Sequence, residues 1–269
     1  MQAFQAILMT LSLRQKITTA LLVIYWPTLF ILAHIPIPQF VRQAHVSDKI
    51  LHFLAYLILV FLLWFTISPD KKVSWRRAAA WLVILVMIGY GAADELLQRY
   101  VAGRSCDIRD FAADLVSALT GLILFSIFSF WPAALLVAGV TIFGLTNISR
   151  VNLARMLPIT NAMFYLFSYA IFTMLWLRFV HLYLTPKPPK PKWLITALAL
   201  PTGFLLAVKL SSIILGKTFG LRDVILAVAG IVAIVGAIYL ITLFRQRLAG
   251  GIPPESDTDC YTKSQRHKK

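Results

Sequence analysis

The 269-residue chain is 59% hydrophobic and only 14% charged, where soluble domains average about 45–50% and about 25%, and its mean hydropathy is +0.78. The apolar residues gather in stretches of roughly 20, the length that crosses a bilayer core of about 30 Å, so a single water-soluble core is excluded. The net charge of +15 fits the Lys and Arg excess of cytoplasmic loops better than a nucleic-acid surface, for which base-edge and stacking signatures are missing.

Met1 to Leu13 is apolar, but Arg14 and Lys16 follow that run and no small-residue cleavage site precedes the first long span. An interfacial lead-in that stays on the protein is expected. Eight spans then follow at about 17–37, 50–67, 78–97, 108–129, 132–147, 158–180, 193–214 and 221–244. The pattern predicts an all-α, polytopic transmembrane helical bundle. The segment Thr185 to Lys192 alternates Pro and Lys and reads as a stiff polyproline-type linker. The polar residues 247–269 read as a disordered tail.

Charge sets the expected orientation. With the N-terminus inside, 16 of the 26 Lys and Arg fall on the inner side, with only four of the 11 acids. Both termini are therefore expected in the cytoplasm. Cys106 and Cys260 then lie on opposite sides and form no bridge within one chain.

The chain also matches itself. A shift of 113 positions aligns Gly103-Arg-Ser-Cys-Asp-Ile-Arg-Asp110 with Gly216-Lys-Thr-Phe-Gly-Leu-Arg-Asp223, and His52 with Tyr165, Tyr56 with Tyr169, and Asp48 with Asn161. Two four-helix units are expected, residues 1–130 and a degenerate copy at 131–246. Four spans per unit is an even number, so the repeats should be parallel, related by an axis along the membrane normal.

Three polar clusters fall at the expected outer ends of the first unit's spans. Asp48, Lys49, His52 and Tyr56 open span two, and Asp48, His52 and Tyr56 share one helix face at i, i+4, i+8. Asp94, Glu95 and Gln98 close span three, where two carboxylates meet the unfavourable negative end of the helix dipole. Arg104, Asp107, Asp110 and Asp114 enter span four, with the acids at 3 and 4 spacing along one stripe. Asp114 lies about one turn inside the membrane at about 1.5 Å per residue, beyond the reach of the dipole, and calls for a buried partner, a metal or a bound cation.

Together these segments, Asp48-Lys49-x-x-His52-Phe53-x-x-Tyr56, Gly91-x-x-Asp94-Glu95-x-x-Gln98 and Gly103-Arg104-Ser105-x-Asp107-x-x-Asp110, resemble the VanZ-like family of bacterial membrane proteins, linked to teicoplanin resistance. The resemblance covers about residues 17–130 and implies a cell-envelope role in the bacterial inner membrane without naming a reaction. One departure is Asp114, where the family pattern more often has Asn. The second unit carries Ala207, Val208, Gly220 and Ala227 at the equivalents of Asp94, Glu95, Asp107 and Asp114. Acids needed only for folding should recur in the copy, so their loss there favours a functional set in the first unit.

The expected acid–base set is His52, Asp94, Glu95, Asp107 and Asp110. The expected ligand-binding set is Asp48, Lys49, Tyr56, Gln98, Arg104 and Asp114. The favoured function is binding or handling of an anionic, polyprenyl-phosphate-type envelope lipid at the outer leaflet. The first alternative is a membrane hydrolase or transferase acting on a lipid phosphate, with His52 or Glu95 as base and the aspartates holding a divalent cation. The second is a proton-coupled transporter using Asp114 and His52; it is weakened because no ionisable chain crosses the midplane.

Overall fold

The computed structural model describes residues 12–36, 48–102, 104, 106–147, 158–184, 188, 190–216 and 220–250, and of residues 48, 158, 191 and 248–250 the backbone alone. The described residues form eight helices: α1 (Leu13–His34), α2 (Asp48–Ile67), α3 (Ala78–Gln98), α4 (Ile108–Ile127), α5 (Phe130–Asn147), α6 (Pro158–Tyr183), α7 (Pro191–Ile214) and α8 (Leu221–Gly250). All eight are long and apolar enough to cross a membrane, and no strand occurs among the described residues. Hydrocarbon offers no hydrogen bonds, so a spanning segment must satisfy its own backbone, which a helix does.

The helix ends differ from the expected spans for local reasons. α1 starts at Leu13 because the Ser12 side chain accepts a hydrogen bond from the Gln15 amide at 3.2 Å, capping an otherwise orphan donor. α7 starts at Pro191, inside the expected linker; proline suits the first helical turn, where its missing N–H is not needed. α8 runs on to Gly250, past the expected end at 244 and into the start of the expected tail. The lead-in 1–11, linker residues 185–187 and 189, and the tail 251–269 lie outside the described residues.

In the first half α2 is central. It packs against α1, α3 and α4, and its Tyr56, Leu57, Leu59, Val60, Trp64 and Phe65 are buried. In the second half α6 takes that place, packing against α5, α7 and α8. The remaining neighbours correspond as well: α1 touches α3 as α5 touches α7, and α3 touches α4 as α7 touches α8. Lipid-embedded helices approach closely where small residues face each other. Ser117 of α4 donates to the Phe53 carbonyl of α2 at 2.6 Å. At the same offset of 113, Gly230 of α8 sits over the Leu166 carbonyl of α6, 2.4 Å from where a Cβ would be. The halves meet where α5 packs on α2 and α4, with Gly144 beneath Leu54.

The bundle has two polar ends of different character. At one, Arg14 pairs with Asp70, the Gln15 side chain donates to the Thr66 carbonyl, and the Val73 amide donates to the Phe125 carbonyl at 3.0 Å. That end carries Lys16, Lys71, Lys72, Arg76 and Arg77. The other end gathers the last turns of α1 and α3, the first turns of α2 and α4, and the α3–α4 loop.

Candidate functional site

α3 reaches this second end with Asp94, Glu95 and Gln98 buried in its last turns, each no more than 3% exposed. Polar side chains there avoid lipid by turning toward one another. Gln98 Nε2 donates to Asp94 Oδ2 at 2.9 Å, and Arg104 Nη1 donates to Gln98 Oε1 at 3.5 Å. Arg104 also reaches the Leu32 carbonyl of α1 at 3.4 Å. Glu95 Oε2 accepts the Asp107 amide at 3.0 Å, which ties the end of α3 to the start of α4.

Asp107 is the N-cap of α4, its Oδ1 accepting from the Arg109 amide at 2.9 Å. That bond, with Lys49 alongside, holds the Asp107 carboxyl below its ordinary value. Lys49 Nζ donates to Asp107 Oδ2 at 3.3 Å and to Asp110 Oδ1 at 3.2 Å. Two turns into α4, the carboxylate of Asp114 meets His52 Nδ1 at 3.0 Å. Asp114 is 1% exposed and His52 9%, so this is a buried hydrogen-bonded pair, and an ion pair when the imidazole is protonated. Tyr56 stands one turn below His52, with ring centroids 6.4 Å apart, and Tyr90 lies 5.6 Å from Tyr56. Gly91 of α3 packs against Asp114: a Cβ there would lie 3.5 Å from Asp114 Oδ2 and 3.4 Å from Phe111, in ordinary van der Waals contact.

Bonds thus join these residues in three adjacent groups: Asp94, Gln98 and Arg104; Glu95, Asp107, Lys49 and Asp110; and His52 with Asp114. Ligand atoms of His52, Asp94 and Asp114 lie within 4.8 Å of one another, as do those of His52, Glu95 and Asp110. The Asp48 side chain, Gly103 and Ser105 lie outside the described residues. Cys106 is a free, exposed thiol.

Two features were not anticipated. His34, in the last turn of α1, brings Nδ1 to 3.8 Å from Asp94 Oδ1 while bonding the Phe30 carbonyl at 2.8 Å. A lone histidine at the same outer end as the other clusters was the only signal for it. The second is the cavity. The sequence suggests a mouth between spans two, three and four. The cavity of about 370 Å³ that reaches His52, Tyr56, Asp94 and Arg104 is instead walled chiefly by α1, α2 and α5, including Tyr25, Leu29, Leu32, Leu54, Thr141 and Leu145. The α2–α4 crossing is too close to open, with Ser117 and Gly121 directly against α2.

The corresponding end of the second half carries a single acid, Asp223, among the described residues. Asn161 Nδ2 donates to Asp223 Oδ1 at 2.9 Å, and Asp223 Oδ2 accepts the Gly220 amide at 3.1 Å. Ser212 donates to Asn147 Oδ1 at 2.6 Å. Asp223 therefore acts as a helix cap and bridge to α6, without the stacked carboxylates of the first half.

Residues 4–129, which include α1 to α4, match the family model described as VanZ/LLP1. No curated protein and no solved structure matches the chain.

Proposed function

We propose, from the premise that α1–α4 form a VanZ-like membrane unit, that this multi-pass protein binds the anionic head group of a polyprenyl-phosphate-type lipid in the bacterial cell envelope. One observation carries the proposal: an apolar cavity between α1, α2 and α5 ends at Arg104, whose buried Nε has no hydrogen-bond partner among the described residues. A guanidinium presents a fork of donors suited to phosphate, and the walls suit an isoprenoid chain. Lys49 and Arg109 add positive charge at the rim. The link of VanZ-like proteins to glycopeptide resistance fits a ligand that carries cell-wall precursors.

The test is direct binding. Purified protein should bind a short polyprenyl phosphate at least about tenfold more tightly than the neutral polyprenol, and Arg104→Gln should remove most of that difference. Equal affinity for the two lipids would contradict the proposal.

The binding end is assigned to the outer leaflet, in the inner membrane, because the opposite end holds the basic loops and positive charge collects in the cytoplasm. A cysteine placed at position 190 should resist impermeant maleimide in intact cells and react after lysis. Labelling in intact cells would reverse the orientation. The same proposal treats α5–α8 as a degenerate copy that has kept the frame and lost the site. The matching helix neighbours and the Ser117–Phe53 and Gly230–Leu166 crossings favour this.

The hydrolase or transferase reading has an observation of its own, the convergence of His52 with Asp94, Glu95, Asp110 and Asp114.

A further inference from the structure

The interior of the site is the reverse of its rim. Asp94, Glu95, Asp110 and Asp114 are all buried, and the cations facing them are Lys49, Arg104 and the histidines His34 and His52 when protonated. Lys49 stands half exposed at the edge. Among the described residues, Arg104 bonds to the cluster through Gln98 and acts on Asp94 through space. Burying carboxylates without compensation is costly, and native folds supply each with a partner or a metal.

Glu95 shows the deficit most clearly. Its side chain is 3% exposed. Oε2 is used by the Asp107 amide, while Oε1 is buried with no hydrogen-bond partner among the described residues. The Glu95 carboxylate shares its immediate surroundings with His52 and Asp110, one ligand atom of each lying within 4.8 Å of the others. Two ligands on opposite sides of an ion with bonds of about 2.1 Å are about 4.2 Å apart, so small side-chain shifts close the shell. Asp114 holds His52 Nδ1 at 3.0 Å, the kind of carboxylate contact that orients a metal-binding imidazole and raises its basicity.

We propose that His52, Glu95 and Asp110 hold one divalent transition-metal ion, Mn²⁺ or Zn²⁺, with Asp114 orienting the imidazole. One nitrogen with carboxylate oxygens favours these ions over Ca²⁺ and Mg²⁺, which prefer all-oxygen shells. The ion neutralises the buried acids and occupies the unpartnered Glu95 oxygen. It also eases the conflict between an acidic interior and an anionic ligand, because it offsets the negative charge behind His52, the one of its three ligands that lines the cavity. Uptake of the ion itself does not rest on the lipid proposal.

The experiment uses the full chain in detergent, stripped with chelator, incubated with Mn²⁺ alone or Zn²⁺ alone, desalted and assayed by elemental mass spectrometry. About one ion per chain is expected with at least one of the metals. Glu95→Gln and Asp110→Asn should each weaken uptake about tenfold or more, while Asp223→Asn keeps the uptake of the unaltered protein. Failure of the unaltered chain to retain either ion, or undiminished uptake in both variants, would overturn the assignment. Should the variants fail to fold, X-ray absorption of the zinc-loaded unaltered chain decides. A single imidazole with oxygen neighbours is expected, and a sulfur shell or several imidazoles would rule out this site. Lipid binding without ion uptake would refute the metal alone, and ion uptake without preference for phosphorylated lipid would refute the lipid proposal alone.

Discussion

Gly230→Ala should sharply destabilise the second half of the chain, whereas Gly203→Ala and Gly236→Ala should be tolerated. A Cβ on Gly230 would stand 2.4 Å from the Leu166 carbonyl oxygen and 3.2 Å from the Ala170 amide. Both are backbone atoms, so no rotamer change relieves the clash and α8 must move off α6. That movement opens the core around Tyr169, Ala227 and Ile231, each at most 1% exposed. Overpacking of this kind costs about 1–3 kcal/mol and more when the backbone cannot yield. Gly203 and Gly236 have nothing within 4 Å of a Cβ, and Ala in a helix interior is favoured over Gly by up to about 1 kcal/mol. Gly121 falls between, since its nearest obstacle at 2.5 Å is a Val60 methyl, a side-chain atom rather than backbone, but one on a buried valine that is stiff at χ1. Thermal unfolding in detergent ranks the four proteins, and a Gly230→Ala transition equal to that of the unaltered chain would refute the close α6–α8 crossing.

His52→Ala should be the most damaging single change among the site residues of α2. The imidazole is 3.0 Å from Asp114 and both groups are buried. Breaking a buried pair from one side typically costs about 3–5 kcal/mol, because the remaining charge keeps its desolvation penalty without its partner. Replacing both partners by apolar groups removes the penalty along with the bond. The double variant His52→Ala with Asp114→Leu should therefore recover much of the loss. A His52→Ala protein as stable as the unaltered chain would mean that the pair contributes nothing, and a double variant worse than the sum of the singles would contradict this account of the cost.

The eight helices were legible because each apolar run has the length a bilayer demands. Their ends were less so: Ser12 and Pro191 extend α1 and α7 through capping chemistry that hydropathy does not register. The polar end was legible from three segments whose acids sat at helix ends where simple dipole effects did not explain them, above all Asp94 and Asp114. His34 was not, because a single histidine after a run of apolar residues has no partner in its own sequence; its meaning comes from Asp94, 60 positions later. The cavity was hidden for a related reason. Both faces of a lipid-embedded helix are apolar, so the sequence of α5 does not say that Thr141 and Leu145 will wall a space shared with Tyr25 and Leu54. Which helices leave a gap is decided by small residues at the neighbouring crossings.

Native mass spectrometry of the gently purified full-length protein tests the central claim most directly. The proposal predicts about one tightly held lipid per chain, with a mass and fragment pattern containing phosphate on a polyisoprenoid chain, and its loss from Arg104→Gln under the same conditions. A protein that carries only bulk zwitterionic phospholipid, to the same extent with and without Arg104, would contradict it.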